Sequence, residues 1–120
     1  MRTTLYNING SGGAFTAIRA TKITRRVEIV EDGSANAGVA QGLSYQFDDG
    51  QTPPFTTIYQ LPGAQEPLIL GEPIPQAGGY GSVIGKGPQT SGGYSEVATL
   101  LCNLRSLSAT ATVVRVTEFD

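Results

Sequence analysis

Carboxylates are the side chains of this sequence best suited to proton-transfer chemistry, because it contains no histidine and a single cysteine. This composition excludes Ser-His-Asp and Cys-His catalysis and the usual histidine or cysteine zinc sites. A glycosidase would need two carboxylates at a defined separation across a cleft, and the sequence leaves such a pair open. The candidates are Glu28, Glu31, Asp32, Asp48, Asp49, Glu66, Glu72, Glu96, Glu118 and Asp120. Most of them lie in turn-like contexts where acidic residues are common, so we expect no enzymatic activity, no cofactor and no metal.

Two short motifs resemble ligand-binding loops but do not meet their requirements. Gly85-Lys86 looks like the end of a phosphate-binding loop, but Tyr80 stands where that motif needs its first glycine. Gly87 follows the lysine where the motif needs serine or threonine. Asp48-Asp49-Gly50 lacks the spacing of an EF-hand calcium loop and is interpreted as a tight turn.

Aromatic and basic side chains next to predicted loops are the candidates for contact with a partner. They are Phe55, Tyr59, Tyr80, Tyr94, Arg25 and Arg26. The aromatic residues lie in or near Pro- and Gly-rich segments, where such side chains stack on sugars, anchor a protein interface or cap a core. Adjacent arginines on a strand point to opposite faces and form no single basic patch. With a formal net charge of −2, we expect a protein contact and no nucleic-acid binding.

The elements that must position these residues are short strands, because apolar residues recur with period 2 between turn signals. The clearest alternation places Ile23, Val27 and Ile29 on one face. The predicted strands are Thr3–Ile8, Ala14–Thr21, Lys22–Glu31, Gly42–Phe47, Phe55–Leu61, Glu66–Leu70 and a brief Ser82–Ile84, followed by two strands in the last quarter. We therefore predict an all-β protein in one domain, residues 1–120, as a jelly-roll-like β-sandwich with long Gly/Pro-rich loops.

The last quarter of the chain is its longest apolar stretch and is predicted to form the core. Val97–Leu107 has helical as well as strand spacing, but it is short and lacks a capping box, so a strand is favoured. A polar turn at Ser106–Ala109 is expected to join it to the Thr- and Val-rich closing strand as a hairpin. Leu101 or Leu104, together with Val114 or Val116, is predicted to be buried, and Cys102 is predicted to be a buried hydrophobe rather than a reactive thiol.

The composition points to a protein that packs against others. Charged residues make up 15% of the chain, compared with about a quarter in an ordinary soluble domain. We expect the glycine-rich segment Gln76–Gly93 to be ordered mainly by another subunit. Neither a signal peptide nor a membrane span is evident.

The whole chain resembles the small structural proteins of phage virions, especially capsid decoration or cement proteins. The resemblance lies in its length, its Gly-, Thr- and Ser-rich β segments, its lack of His and Trp, and a closing strand such as Thr110–Val116. It implies a non-enzymatic homo-oligomer, a dimer or trimer, that binds the major capsid protein or another virion protein across capsomer junctions, and therefore a location in the virion. A carbohydrate-binding β-sandwich, such as a fibre tip or lectin-like module, and a tail or baseplate component are the alternatives.

Overall fold

The computed structural model describes residues 1–36, 39–47, 59–61, 67–71, 82–91 and 94–120, and within these ranges it contains strands and no helix. The strands are β1 (Arg2–Ile8), β2 (Thr16–Arg19), β3 (Arg26–Glu31), β4 (Leu43–Gln46), β5 (Tyr59–Leu61), β6 (Leu68–Leu70), β7 (Gln89–Ser91), β8 (Tyr94–Glu96), β9 (Leu100–Ser106) and β10 (Thr112–Phe119). Thr, Val, Ile and Leu dominate the longest of these strands, as side-chain packing on a pleated surface favours. The prediction of an all-β protein is confirmed. The first four residues of the predicted strand Phe55–Leu61 lie outside the described residues.

Eight of the strands form two antiparallel sheets of four. Sheet A has the order β1-β10-β3-β6 and sheet B the order β2-β9-β4-β5, while β7 and β8 pair separately. If β7 and β8 are left aside, the strand pairs are nested along the chain. β1 pairs with β10, β2 with β9, β3 with β6 and β4 with β5. Except for the step from β4 to β5, every connection between consecutive strands of these two sheets passes from one sheet to the other.

A single cluster of buried apolar side chains receives residues from both sheets. Its members are Ile8, Ile18, Ala20, Val27, Ile29, Leu43, Leu68, Leu101, Cys102, Leu104, Val114 and Val116. The alternation of β10 shows why the sequence folds this way, since every second residue from Thr112 to Glu118 is buried and the residues between them are not. The predicted burial in these two strands is confirmed, because Leu101 and Leu104 of β9 and Val114 and Val116 of β10 are all buried. The predicted burial of Cys102 is confirmed as well.

The last quarter is a pair of strands, but the predicted hairpin is wrong. The favoured strand in Val97–Leu107 is confirmed as β9, yet β9 belongs to sheet B and β10 to sheet A. The connection between them bonds to other loops instead of closing a turn. Leu107 donates its N–H to the carbonyl of Gly42 (N···O 3.1 Å), and Ser11 donates to the carbonyl of Ser108 (N···O 2.7 Å). A short polar linker has the same composition whether it closes a hairpin or crosses between sheets.

The start of β3 also differs from the prediction. The strand begins at Arg26, so Ile23 lies in the preceding loop and is 48% exposed rather than part of the inner face. Thr24 of this loop is buried, and it forms an isolated antiparallel bridge with Gly85. The hydroxyl of Thr24 bonds to Glu118, which is why a polar residue takes the inward position.

The described part of the glycine-rich segment is held by its own chain. Ser82–Ile84 does not form the predicted strand; instead Ile84 donates its N–H to the carbonyl of Thr24 (N···O 2.8 Å). A Cβ on Gly87 would lie 2.5 Å from backbone atoms of Thr21, so only glycine allows this approach. Residues 84–86 therefore have backbone contacts within their own chain, and the expectation that another subunit orders the segment stays a prediction. Residues 76–81, 92 and 93 lie outside the described part of the chain.

Candidate interaction surface

The predicted interface residues lie only partly within the described structure. Phe55 and Tyr80 lie outside the described residues. Tyr59 begins β5 in sheet B, whereas Tyr94 begins β8 in the separate hairpin. Their backbones therefore belong to different sheets.

The two predicted arginines lie at the start of β3. Arg25 is half-buried and donates its backbone N–H to the carbonyl of Phe119 (N···O 2.8 Å). The guanidinium of Arg26 forms an ion pair with Glu28 two residues further on (Nη2···Oε1 2.9 Å). Both side chains of this pair are partly exposed to water, which limits its contribution to about 0–1 kcal/mol. It keeps the outward side of β3 close to electrically neutral.

A buried carboxylate, Glu118, fastens the loop between β2 and β3 to the end of β10. Glu118 is 1% exposed. Thr21 donates to it twice, from its backbone N–H (N···Oε2 3.0 Å) and from its hydroxyl (Oγ1···Oε1 2.6 Å). The hydroxyl of Thr24 donates a third bond (Oγ1···Oε2 2.7 Å). All three donors belong to one loop, so this buried charge holds that loop against sheet A.

A second buried carboxylate, Glu31, performs the same task at the opposite end of sheet A. It accepts hydrogen bonds from the backbone N–H groups of Gln41 (N···Oε1 2.9 Å) and Gly42 (N···Oε2 3.2 Å). The hydroxyl of Thr112 adds a third (Oγ1···Oε1 2.8 Å). Gly42 has a φ of 80°, the left-handed conformation that glycine adopts without steric cost. The loop between β3 and β4 is thereby fixed to the first residue of β10.

The separation of these two carboxylates argues against a glycosidase pair. Glu118 is the register partner of Val27 on β3, and Glu31 stands four positions further along that strand. At a rise of about 3.4 Å per residue, about 14 Å separates the two positions. Glycosidases need about 5–10 Å between their carboxyl groups. Each of the two is also fully engaged by neutral donors, so neither is placed to meet a substrate.

Among the described residues, the pKa values of Cys102, Tyr6 and Asp120 are shifted, and burial or a neighbouring charge accounts for each shift. Burial raises the pKa of the Cys102 thiol from 9.0 to about 12, so the thiol stays protonated and unreactive near neutral pH. Burial, followed by the charge of Glu118, raises the pKa of Tyr6 above 10.0. The hydrogen bond from Lys22 lowers the pKa of the exposed Asp120 from 3.8 to about 2.

The face of sheet A that points away from the core is a candidate interaction surface. This outer face carries apolar side chains from all four strands, namely Leu5, Val30, Ile69, Val113 and Phe119. Leu5 is 57% exposed and Ile69 41% exposed. Between them stand Thr117, the ion pair of β3 and the exposed Arg115, which lies between Leu5 and Val30 in the register. Apolar groups interspersed with polar and charged side chains form the mixed surface that is typical of protein contacts.

The free edge of β1 borders this outer face. β1 is the first strand of sheet A and pairs with β10 over all of Arg2–Ile8 without a register shift. Among the described residues no strand pairs with its other edge. The sequence contains a signal for this edge, because the strand has seven residues with neither lysine nor proline. The search for loop aromatics and basic clusters does not detect it.

The chain shows no significant match to any known protein family, curated protein or solved structure. Within the described ranges, no group of three or more acidic or cysteine side chains is arranged to hold a metal ion. A helix long and apolar enough to span a membrane is likewise absent from the part of the chain that the structure describes.

Proposed function

We propose that this protein is a non-enzymatic structural protein of a phage virion, which decorates or cements the capsid as a homo-oligomer by binding across capsomer junctions. The observation that carries the proposal is the outer face of sheet A. It is a mixed surface, with partly exposed apolar side chains around the exposed Arg115, on a protein whose described buried carboxylates are occupied in holding loops. Such a surface suits a flat contact with a neighbouring protein better than it suits a small molecule.

The strand order supports a jelly-roll β-sandwich as the framework for this role. Pairing of the first strand with the last, and so on inwards, results when one long hairpin of eight strands rolls up into two packed sheets. The orders β1-β10-β3-β6 and β2-β9-β4-β5 agree with such a roll, with β7 and β8 as an insertion. Jelly rolls are common in viral capsid proteins and also in lectins. The fold is therefore compatible with both functions and does not decide between them.

The two buried carboxylates support a rigid role. Glu118 and Glu31 each hold a loop to one end of β10, and β10 is an inner strand of sheet A. The outer face is therefore presented by a sheet braced at both ends, which lowers the ordering cost of binding. A protein of this kind stabilises a shell by mass action, because each bound copy adds binding free energy at a junction between subunits.

The test begins with virus particles from the organism whose genome encodes the chain. Mass spectrometry and antibody labelling should find the protein on the outside of the heads. Particles lacking the gene should then release their genome at a lower temperature, and added protein should restore the higher temperature. If both kinds of particle release their genome at the same temperature, the cementing function is wrong.

Matched variants connect this test to the outer face. Ile69→Lys places a charge on the face and should reduce occupancy of the particles. Val39→Lys changes a residue that is 56% exposed in the loop between β3 and β4, and it should bind as the unchanged protein does. Equal occupancy by the two variants would contradict the role of the outer face.

Two outcomes would replace the proposal with an alternative. Labelling of tails instead of heads would assign the chain to the tail or baseplate. Retention of a soluble glycan by the free protein, with or without calcium, together with no occupancy of particles, would indicate a carbohydrate-binding module.

A further inference from the structure

We propose that the edge of β1 joins two copies of this chain, by antiparallel pairing of β1 with β1 of the partner across a twofold axis at Leu5. This inference rests on the homo-oligomer of the proposed function and names its contact. The result would be one continuous sheet of eight strands, in the order β6-β3-β10-β1-β1-β10-β3-β6. The outer faces of the two copies would lie side by side in this sheet.

The β1 edge is the only described edge long and regular enough to accept a strand. Sheet A ends on its other side with β6, which has three residues. Sheet B ends in β5, also three residues, and in β2, whose four residues contain a register shift between Ile18 and Arg19. β1 offers seven residues in unbroken register with β10. Alternate residues of such a strand direct their N–H and C=O groups away from the sheet, which makes a template for a further strand.

Most of the usual protections of a sheet edge are missing from β1. Natural edges are guarded by lysine, proline, bulges or an inward-pointing charge. β1 has no lysine, proline or bulge within Arg2–Ile8, and its single charge, Arg2, stands at its first position, on the same face as Glu118, where it donates to the carbonyl of Thr21 (Nη1···O 3.4 Å). Its central outward residue, Leu5, is 57% exposed. An edge that has no lysine, proline or bulge, and that carries an exposed leucine at its centre, is the expected form of a strand that pairs in the functional state.

The sequence of β1 is compatible with pairing to itself. The antiparallel register that uses all seven residues places Leu5 opposite the partner's Leu5 and Thr3 opposite the partner's Asn7. Arg2 then lies opposite the partner's Ile8, so no like charges meet. Opposed residues in this register point to the same face of the sheet, as antiparallel pairing requires. A parallel register would instead bring the two Arg2 side chains together.

The dimer is expected to be weak in dilute solution. A strand of seven residues is about 24 Å long, and pairing along it buries less surface than a standard protein interface of about 1,600 Å². Copies held next to each other on a shell would have a high effective concentration and would pair far more completely. Association of the free protein should therefore increase with concentration.

Disulfide formation tests the register directly in the free protein. Leu5→Cys is expected to form an intermolecular disulfide readily, because opposed Cβ atoms of antiparallel strands lie about 5 Å apart. Asn7→Cys, also at an exposed position, is the matched control and should form the disulfide about tenfold more slowly, because the residue opposite Asn7 in the partner is Thr3. A mixture of Thr3→Cys and Asn7→Cys should cross-link as a heterodimer. The native Cys102 is fully buried and does not compete.

A charge swap tests the same contact without a covalent bond. Leu5→Lys and Leu5→Glu should each be monomeric in sedimentation at concentrations where the unchanged protein dimerises, and their mixture should dimerise again. Val97→Lys, at a residue that is 82% exposed and far from β1 in sequence, should leave the dimer intact. Equal cross-linking of the Leu5→Cys and Asn7→Cys variants, or an unchanged sedimentation of Leu5→Lys, would overturn the inference. Neither result depends on particles, so a failure here is separate from a failure of the capsid assignment.

Discussion

The buried carboxylate Glu118 allows a sharp test of how the loop between β2 and β3 is held. Truncation of Glu118 to alanine removes three hydrogen bonds donated by Thr21 and Thr24. The hydroxyl of Thr24 can turn to the carbonyl of Lys22, which already lies 3.0 Å away. The backbone N–H of Thr21 loses its partner. An unpaired buried donor costs about 1–3 kcal/mol, and the space left by the side chain adds about 1–2 kcal/mol. The alanine variant also avoids the cost of burying a carboxylate away from water, which offsets part of this sum. We therefore expect the free energy of unfolding to fall by about 2–4 kcal/mol.

Glu118→Gln is the matched control because it keeps the shape of the side chain. Its carbonyl oxygen can take the Oε2 position and accept from both Thr21 N–H and the Thr24 hydroxyl. Its amide group would then face the hydroxyl of Thr21, which accepts as readily as it donates. All three contacts survive with one reversed, so the expected loss is about 1 kcal/mol.

The assay is urea denaturation followed by far-ultraviolet circular dichroism or tyrosine fluorescence, since the chain has no tryptophan. A loss below about 0.5 kcal/mol for Glu118→Ala would mean that the loop is held by other contacts. Equal losses for the alanine and glutamine variants would mean that the charge itself, rather than the three hydrogen bonds, is what the fold requires.

Three further predictions concern the core, a turn and the thiol. Leu104→Ala should lower the free energy of unfolding by about 2–5 kcal/mol, because this side chain is fully buried. Val97→Ala should lower it by less than about 0.5 kcal/mol, because Val97 is 82% exposed. Similar losses for the two variants would contradict the core assignment. Gly71→Ala should cost about 1–3 kcal/mol in thermal unfolding, because φ is +81° and a Cβ would lie 2.2 Å from a backbone carbonyl oxygen, whereas Gly33→Ala meets open space and should be neutral. Cys102 should resist alkylation until the protein unfolds. Because the unfolded thiol ionises near pH 9 and the folded one near 12, stability should fall by about 1.4 kcal/mol per pH unit between these values and less steeply in Cys102→Ala.

The parts of the fold that could be predicted from the sequence are those that depend on the alternation of apolar and polar residues along one strand. The Thr-Val alternation of β10 and the run of Leu in β9 determine which side chains are buried, and both were assigned correctly. The pairing of these strands could not be read in this way. Whether the residues after Ser106 turn back or cross to the other sheet depends on contacts such as Leu107 with Gly42, which is distant in sequence.

The candidate surface was less accessible to sequence reasoning than the core. The search for loop aromatics selected Tyr59 and Tyr94, which belong to different sheets, and residues that the structure does not describe. The outer face of sheet A arises only when β1, β10, β3 and β6 are placed side by side. In the sequence, Glu118 and Glu31 resemble ordinary surface acids. The residues next to them do not indicate that hydrogen-bond donors from loops will surround their carboxylates.

The central position of β10 in sheet A has a consequence for synthesis and for damage to the chain. β1 pairs with β10 across more than a hundred residues of sequence, since Arg2 lies opposite Glu118, and β3 pairs with the other side of the same strand. Contacts of such long range slow folding, because the loop must close before they form. During translation β1 and β3 therefore cannot complete their pairing until β10 has been synthesised, because β10 follows both in the sequence. Loss of the eight residues of β10 to a protease or a premature stop codon would not merely fray an end; it would divide the sheet through its middle and release both of its neighbours.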